Sequence, residues 1–248
     1  MDVFFAAASE NRLVLAFIPK NAYNKHTVQG CTRAVGACSA GKPLRSGARG
    51  SLAGENPDGG ESLDKLSEAI CFATAAFDGM RRKVDGHPAI LHSLEAATIT
   101  QTLTDEREAV IAAVLHDTVE DAGVKIGEIL ERFGDRVAEL VLSETENKRV
   151  SRAPSETWRV RKEESVAVLR QTGDLGVKAL YLGDKLSNIR SLSRSLEIYG
   201  DGMWQQFNQK DPAEHRWYYT SIAEALADLS HTAAYREYVA LVDRVFGG

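Results

Sequence analysis

The feature that most restricts the fold of this chain is a run of seven apolar residues, AVIAAVL, from Ala109 to Leu115. An α-helix turns once in about 3.6 residues, so a helix over this run would be apolar around its whole circumference. Such a helix needs neighbours on every side, yet the run is far shorter than the roughly 20 apolar residues that span a bilayer. The chain must therefore pack other elements around this segment, and its hydrophobic content of 44% is sufficient for a globular core.

Apolar residues recur at helical spacing from Ser62 onward, and the alternation typical of half-buried strands is absent there. This pattern predicts an all-α domain over residues 61–248, a helical bundle around the apolar segment. Pro212 suits the first turn of a helix, and Gly134 and Gly173 suit helix ends. The predicted helices cover residues 62–82, 92–103, 105–121, 125–132, 135–146, 155–172, 175–194, 211–229 and 232–245.

Residues 1–60 differ in composition, because they are rich in Gly, Ser and Arg and have no helical period. We predict that they form a disordered N-terminal extension. The cysteines Cys31, Cys38 and Cys71 form no CxxC pair and are too few for a disulfide framework, which favours a reducing, cytoplasmic location. We find no export signal, and the mild net charge of −5 without long basic blocks predicts neither nucleic acid nor membrane as a partner.

Four ionisable residues follow the apolar run directly, in the hexapeptide HDTVED. His116 and Glu120 are four residues apart, as are Asp117 and Asp121, so the side chains form two adjacent columns on the last turns of a buried helix. Carboxylates withdrawn from water are costly and repel each other, and a divalent cation would remove both problems. The hexapeptide therefore predicts a metal site, and the alternative is an acidic helix end that emerges into solvent.

A second segment, VKALYLGDKLSNIRSL, carries further polar groups. Asp184, Asn188 and Ser191 fall on one helical stripe, opposite a stripe of leucine and isoleucine. This polar stripe either lines a pocket or is a solvated face.

A third segment, RRKVDGHPAILHSLEAA, combines a basic loop with a histidine. Arg82 and Lys83 could hold phosphates, and the alternative is an ordinary solvated loop. His92 stands at the beginning of the next predicted helix, where it is either a ligand or a capping or core histidine.

These segments, in this order, resemble the HD-type hydrolase domain of the RelA/SpoT family, most closely its stand-alone branch, the small alarmone hydrolases. The resemblance covers about residues 65–230, and its motifs HDxxED, FGxxVAxLV and DKLxNxR are highly specific at this spacing. It implies an HD-domain helical bundle with a central metal site. It also implies hydrolysis of the 3′-pyrophosphate of guanosine tetra- or pentaphosphate (ppGpp, pppGpp) to GDP or GTP and pyrophosphate, usually with Mn²⁺.

The same resemblance implies a role for individual residues. The residues that match metal ligands are His92, His116, Asp117 and Asp184. The residues that match the pair acting on the attacking water are Glu120 and Asp121. The residues that match substrate contacts are Arg82, Lys83, Asn188 and Ser191, while Tyr218 either reaches the nucleotide or packs the last helices. Imidazole and carboxylate ligands suit Mn²⁺ and do not exclude Zn²⁺ or Fe²⁺.

Other functions stay open at this stage. The segments AFDGMRRK and PAILHS depart from the usual family pattern, which leaves ppApp, the 2′-phosphate of NADPH or a nucleoside monophosphate as alternative substrates of an HD phosphohydrolase. A non-catalytic module that binds nucleotide or protein is the third hypothesis, although binding alone requires no complete ligand set with two further carboxylates. Some members of this branch degrade the product of a toxic alarmone synthetase, so a toxin partner and a homo-oligomer also remain open.

Overall fold

The structure is a computed structural model that describes residues 64–247 and, before them, the backbone of residues 3–9 and 12–18. The chain divides into two units, residues 1–61 and 62–248. In the first unit, β1 (Val3–Ser9) and β2 (Arg12–Ile18) pair antiparallel, with Val3 opposite Ile18. These strands fall within the segment predicted to be disordered. The rest of that segment lies outside the described residues, and for it the prediction stays a prediction.

The second unit is built from helices, which confirms the predicted all-α class. Nine α-helices lie within residues 64–247: α1 (Lys65–Ala76), α2 (Ala89–Gln101), α3 (Arg107–Glu120), α4 (Ile126–Phe133), α5 (Asp135–Glu144), α6 (Pro154–Gln171), α7 (Leu175–Tyr199), α8 (Pro212–Ala225) and α9 (Ala233–Phe246). Short 3-10 helices cover Gly200–Gln206 and Ala227–Leu229. None of the helices in this part of the chain is long and apolar enough to cross a membrane.

Helix α3 is the centre of the core. The apolar segment from Ala109 to Leu115 is almost completely buried, because α1, α2, α5 and α7 pack around it. The buried surface is therefore continuous around the helix, as its apolar circumference predicts. The last turns of α3 bring His116 into the interior, with Asp117 half-buried beside it.

Helices α2 and α7 cross at very short distance, and glycine makes this possible. A Cβ atom placed on Gly183 would lie 2.3 Å from Thr100 Oγ1 and 2.7 Å from the carbonyl oxygen of Ala96. No larger residue fits there without displacement of a helix. The close crossing sets Asp184, the next residue of α7, against the first turns of α2.

Several helix boundaries differ from the prediction, and α1 ends at Ala76 rather than 82 and α8 at Ala225 rather than 229. Helix α2 begins at Ala89 rather than 92, because Pro88 fits the position before a first turn, so His92 lies inside the helix. Helix α7 continues past 194 to Tyr199 and ends only where Gly200 adopts a φ of 57°, which favours glycine. Of the cysteines, Cys71 is exposed and free, whereas Cys31 and Cys38 lie outside the described residues.

Candidate metal centre

The candidate metal centre forms where the end of α3 meets α2 and α7. His116 is buried, and its Nδ1 lies 2.9 Å from the carbonyl oxygen of Ala113 on the preceding turn. A carbonyl oxygen can only accept, so Nδ1 carries the proton and donates. The other ring nitrogen, Nε2, lies 3.2 Å from Asp117 Oδ2 and 3.6 Å from Asp184 Oδ1.

His92 completes the cluster from α2. Its Nε2 lies 2.8 Å from Asp184 Oδ1 and 3.6 Å from Asp117 Oδ2, and its ring meets that of His116 edge to face at 5.2 Å. Three helices thus bring two imidazole nitrogens and two carboxylates to one point. The four residues predicted to be metal ligands are therefore adjacent in space, although the first and the last are 92 positions apart in the sequence.

The chemistry of this cluster fits a divalent metal cation. Within the described residues, His116 Nε2 is buried and has no hydrogen-bond partner. In a neutral ring that donates through Nδ1, Nε2 carries a lone pair, and here the lone pair faces two carboxylates. A positive charge at this point removes the repulsion, and a mixed nitrogen and oxygen ligand set suits divalent transition metals. These residues can hold such an ion, in agreement with the predicted metal site.

The pKa shifts in the cluster also show that positive charge is stabilised at this point. Burial alone would lower the pKa of His116, but the neighbouring carboxylate of Asp117 raises it well above its usual value. Burial would likewise raise the pKa of Asp117, but the imidazole of His116 lowers it. The carboxylates are therefore kept ionised and available as ligands.

Asp184 divides its two oxygens between the imidazoles and a buried lysine. Its Oδ1 faces His92 and accepts a hydrogen bond from Asn188 Nδ2 at 2.5 Å, whereas Oδ2 accepts from the ammonium group of Lys185. Burial would raise the pKa of Asp184, but Lys185 holds it well below its usual range. Asp184 is thus oriented with one oxygen toward the candidate site.

Glu144 is the residue next to this centre that sequence reasoning missed. It lies at the end of α5, is buried, and accepts a hydrogen bond from Lys185 Nζ at 3.2 Å through Oε1. With His116 and Asp184 it forms a second group that could hold a metal ion. Burial and the charge of Asp184 raise its pKa. A signal was present, because Glu144 continues the apolar stripe of Val137 and Leu140 at helical spacing, where a carboxylate is unusual.

Glu120 and Asp121 lie beside the candidate metal ligands but differ in environment. Glu120 is half-buried, accepts a hydrogen bond from the backbone N–H of Glu146 at 3.2 Å, and has a pKa raised by burial and by the charge of Glu146. Asp121 is exposed at the end of α3, where Lys148 Nζ approaches its Oδ1 at 2.6 Å. The same ammonium group donates to the carbonyl oxygen of Glu120 at 2.8 Å.

Three of the predicted substrate contacts lie on one side of the centre. Arg82 donates to Asn188 Oδ1 at 2.8 Å, and Ser191 donates to Asp85 Oδ2 at 2.5 Å. Ser191 is buried, so the polar stripe of α7 is not a solvated face. A cavity beside the metal centre is lined by Arg82, Asp85, His92, Glu95, Ser187 and Ser191, with three further residues. Asp85, Glu95 and Ser187 were not predicted from the sequence.

The other two predicted contacts are placed differently. Lys83 is exposed on the loop before α2 and does not line that cavity. Tyr218 is buried, does not line it either, and has a hydroxyl group without a hydrogen-bond partner in the described residues. Its ring lies against Trp158 and under the ammonium group of Lys162, 4.7 Å from the centroid. This geometry favours the packing alternative for Tyr218, and its contact with nucleotide stays a prediction.

Comparisons with known proteins agree with this architecture. A family model described as HD domain matches residues 69–201. Among curated proteins, the guanosine-3′,5′-bis(diphosphate) 3′-pyrophosphohydrolase of Aquifex aeolicus is 30% identical over 176 residues, which are 64% of this chain and 25% of that protein. The protein of the same name from Haemophilus influenzae is 31% identical over 179 residues, which are 65% of this chain and 24% of that protein. The chain thus spans about a quarter of the length of these relatives.

Two solved structures match this chain over almost their own full length. A crystal structure from Listeria monocytogenes is 34% identical, with a TM-score of 0.55, and the match covers 63% of this chain and 99% of that one. A structure described as a metazoan ortholog of SpoT that hydrolyzes ppGpp is 22% identical, with a TM-score of 0.58, over 75% of this chain and 97% of that one. At that identity the second match concerns the fold alone.

Proposed function

This chain belongs to the HD domain family, and on that premise we propose that it is a metal-dependent hydrolase that removes the 3′-pyrophosphate of ppGpp and pppGpp. The products are GDP or GTP and pyrophosphate. The observation that carries the proposal is the contact of the buried His92, His116 and Asp184 with the half-buried Asp117, with Glu120 one turn further along α3.

The choice of substrate is supported by the relatives. Those from A. aeolicus and H. influenzae are named for hydrolysis of guanosine-3′,5′-bis(diphosphate) at the 3′ position. The matched part is about a quarter of each of those proteins, so the activity is proposed for this chain on likeness together with its own residues.

The proposed reaction is attack of water on the phosphorus atom bound to the 3′ oxygen. A divalent cation held by the four ligands would lower the pKa of a water beside it and withdraw charge from a phosphoryl oxygen. Glu120 accepts the proton of the attacking water, a role suited to a half-buried carboxylate whose pKa is raised toward neutrality. The new P–O bond forms as the P–O3′ bond breaks, the 3′ oxygen leaves as a hydroxyl with a proton from solvent, and Glu120 then returns its proton to solvent.

Asp121 has a different part in this proposal. Its carboxylate is exposed, whereas that of Glu120 is half-buried. Lys148 Nζ lies 2.6 Å from Asp121 Oδ1 and 3.4 Å from Glu120 Oε1, so one ammonium group links the two carboxylates. We assign Asp121 to the positioning of the water.

The basic loop and α7 are proposed to hold the nucleotide. Arg82 presents a guanidinium group at the mouth of the cavity, where a phosphate could replace its contact with Asn188. Ser191 offers a hydrogen bond from the wall of the cavity, Asn188 holds Arg82 beside it, and Lys83 follows Arg82 on the exposed loop. We further propose Mn²⁺ as the ion and a cytoplasmic location, while an antitoxin role stays a prediction.

The experiment that tests this function is an assay of purified protein with Mn²⁺ against ppGpp, pppGpp, ppApp and NADPH, with products identified by chromatography. We expect pyrophosphate with GDP from ppGpp and with GTP from pppGpp. Hydrolysis of ppApp or NADPH without hydrolysis of ppGpp or pppGpp would show that the enzyme acts on one of the alternative substrates. If neither pyrophosphate nor phosphate is released from any of the four nucleotides, with metal verified in the protein, the proposal is overturned.

A matched pair of variants ties the activity to the centre. Asp184→Asn keeps the shape of a ligand but removes its charge, so we expect loss of both Mn²⁺ binding and hydrolysis. Asp135→Asn changes an exposed aspartate at the start of α5 and should leave both unchanged.

A further inference from the structure

A chain of hydrogen bonds runs from His92 away from the metal centre. Nδ1 of His92 lies 2.8 Å from Ser187 Oγ, and this hydroxyl lies 2.7 Å from Glu95 Oε2. The other oxygen of Glu95 accepts from Arg190 at 3.0 Å. Arg190 in turn makes two bonds of 2.7 Å to the carboxylate of Glu237 on α9.

The direction of these bonds follows from a count of hydrogens. A serine hydroxyl has a single hydrogen, and a carboxylate paired with a guanidinium group can only accept. Ser187 therefore donates to Glu95 and must accept from His92, so Nδ1 of His92 carries the proton. In the neutral ring the lone pair then lies on Nε2, the atom 2.8 Å from Asp184 Oδ1.

We infer that Ser187 and Glu95 are positioning residues that hold His92 in the tautomer and orientation needed to bind a metal ion. This inference rests on the metal role of His92 in the proposed function and adds two residues to it. His116 needs no such partner, since its own helix supplies the acceptor for Nδ1. His92 has no acceptor on α2, because that part of the ring faces α7.

The hydrogen bonds from His92 to Glu95 lie mostly in the protein interior and are tied to a third helix. His92 and Ser187 are buried, so water does not compete for the Nδ1 proton. Arg190 joins Glu95 of α2 to Glu237 of α9, so three helices fix the position of the accepting carboxylate. Partners of this kind commonly change metal affinity by about 10- to 100-fold when they are removed.

Calorimetric titration with Mn²⁺ alone tests the inference, because no substrate is involved. We expect Ser187→Ala to weaken Mn²⁺ binding by at least about 10-fold, and Glu95→Gln to weaken it less because the amide oxygen still accepts from Ser187. Ser193→Ala removes another buried hydroxyl of α7 away from His92 and serves as the control. Equal affinity in wild type and Ser187→Ala, or an equal loss in Ser193→Ala, would overturn the inference.

Nitrogen NMR of histidine-labelled protein with Zn²⁺ gives a second readout. We expect a protonated Nδ1 and a metal-bound Nε2 for His92 in wild type, and a mixture of tautomers in metal-free Ser187→Ala. An unprotonated Nδ1 of His92 in the metal-bound wild type would contradict the assignment. Both readouts are independent of ppGpp hydrolysis. Failure of the positioning role of Ser187 and Glu95 can therefore be distinguished from failure of the proposed function.

Discussion

At the scale of single residues, the centre depends on how each carboxylate is partnered. Asp184 is paired with Lys185 and faces two imidazoles, so it is ionised. Glu120 lies one turn beyond His116, contacts no imidazole, and has a raised pKa. We therefore propose that the same type of side chain serves as ligand in one place and as proton acceptor in the other, because the environments differ.

The separation of these roles predicts the behaviour of Glu120→Gln. We expect hydrolysis of ppGpp to fall by about 100-fold or more, because the amide cannot accept the proton. Mn²⁺ affinity should stay close to that of wild type, because Glu120 is not among the four ligands. Glu139→Gln, on the exposed face of α5, is the control for a lost glutamate charge. Parallel loss of metal and activity in Glu120→Gln would contradict the division of roles.

The raised pKa of Glu120 also predicts a pH dependence. Its carboxyl must be ionised to accept a proton, and burial moves its pKa above the ordinary value of 4.5. In the metal-free protein the carboxyl of Glu120 should therefore take up a proton at higher pH than an ordinary glutamate, which NMR of its side-chain carboxyl carbon measures. Protonation of Glu120 only below the ordinary value would contradict the prediction.

At the scale of elements, the crossing of α2 and α7 determines the distance between His92 and Asp184. The helices touch at Gly183, directly before Asp184, and His92 lies about one turn before Ala96 on α2. A change in this crossing moves one ligand relative to the other. Stability and metal binding should accordingly respond together to substitution at Gly183.

Gly183→Ala tests this coupling. The added methyl group would meet Thr100 and the backbone of Ala96, so we expect a loss of about 1–3 kcal/mol in the free energy of unfolding, measured with denaturant. Weaker Mn²⁺ binding should accompany it. Gly173→Ala, where a Cβ would meet no atom within 4 Å, should leave both unchanged. Unaltered stability and metal binding in Gly183→Ala would contradict the prediction, because they would mean that the crossing can accept a methyl group.

At the scale of the whole molecule, α8 is fixed to the core by aromatic residues around His215. Its ring lies 5.2 Å from Trp158 and 5.0 Å from Trp204, and Nε2 donates to the carbonyl oxygen of Gln209 at 2.9 Å. Burial lowers the pKa of His215 below the ordinary value of 6.5. The neutral ring is therefore the form that the fold accommodates.

This burial predicts that the protein loses stability in mild acid. Below pH 6.5 the unfolded chain binds a proton at His215 that the folded protein takes up only at lower pH, so the free energy of unfolding decreases as pH falls through that window. In His215→Phe the ring packing is kept and the titration removed. We expect a shallower decrease between pH 7 and 5 in denaturant titrations of the variant, and equal slopes would contradict the prediction.

Features of the fold and of the candidate site that depend on neighbouring residues in the sequence could be predicted, whereas those that depend on contacts between distant helices could not. All nine helical segments were predicted, because apolar periodicity and end signals are local properties. The four candidate ligands, which the structure brings together, were selected because charges beside a buried helix are conspicuous and the motifs resemble a known family. Glu144, Ser187 and Glu95 were missed, since their significance arises only when α2, α5 and α7 meet. The pair β1 and β2 was missed as well, in a segment without helical period.

The central claim is that His92, His116, Asp117 and Asp184 bind one divalent ion. Anomalous diffraction from crystals soaked in Mn²⁺ tests it most directly. We predict one strong peak within bonding distance of Nε2 of both histidines and of a carboxylate oxygen of both aspartates. A strongest peak on Glu144 without His92, a peak elsewhere on the protein, or no peak at saturating Mn²⁺ would contradict the account.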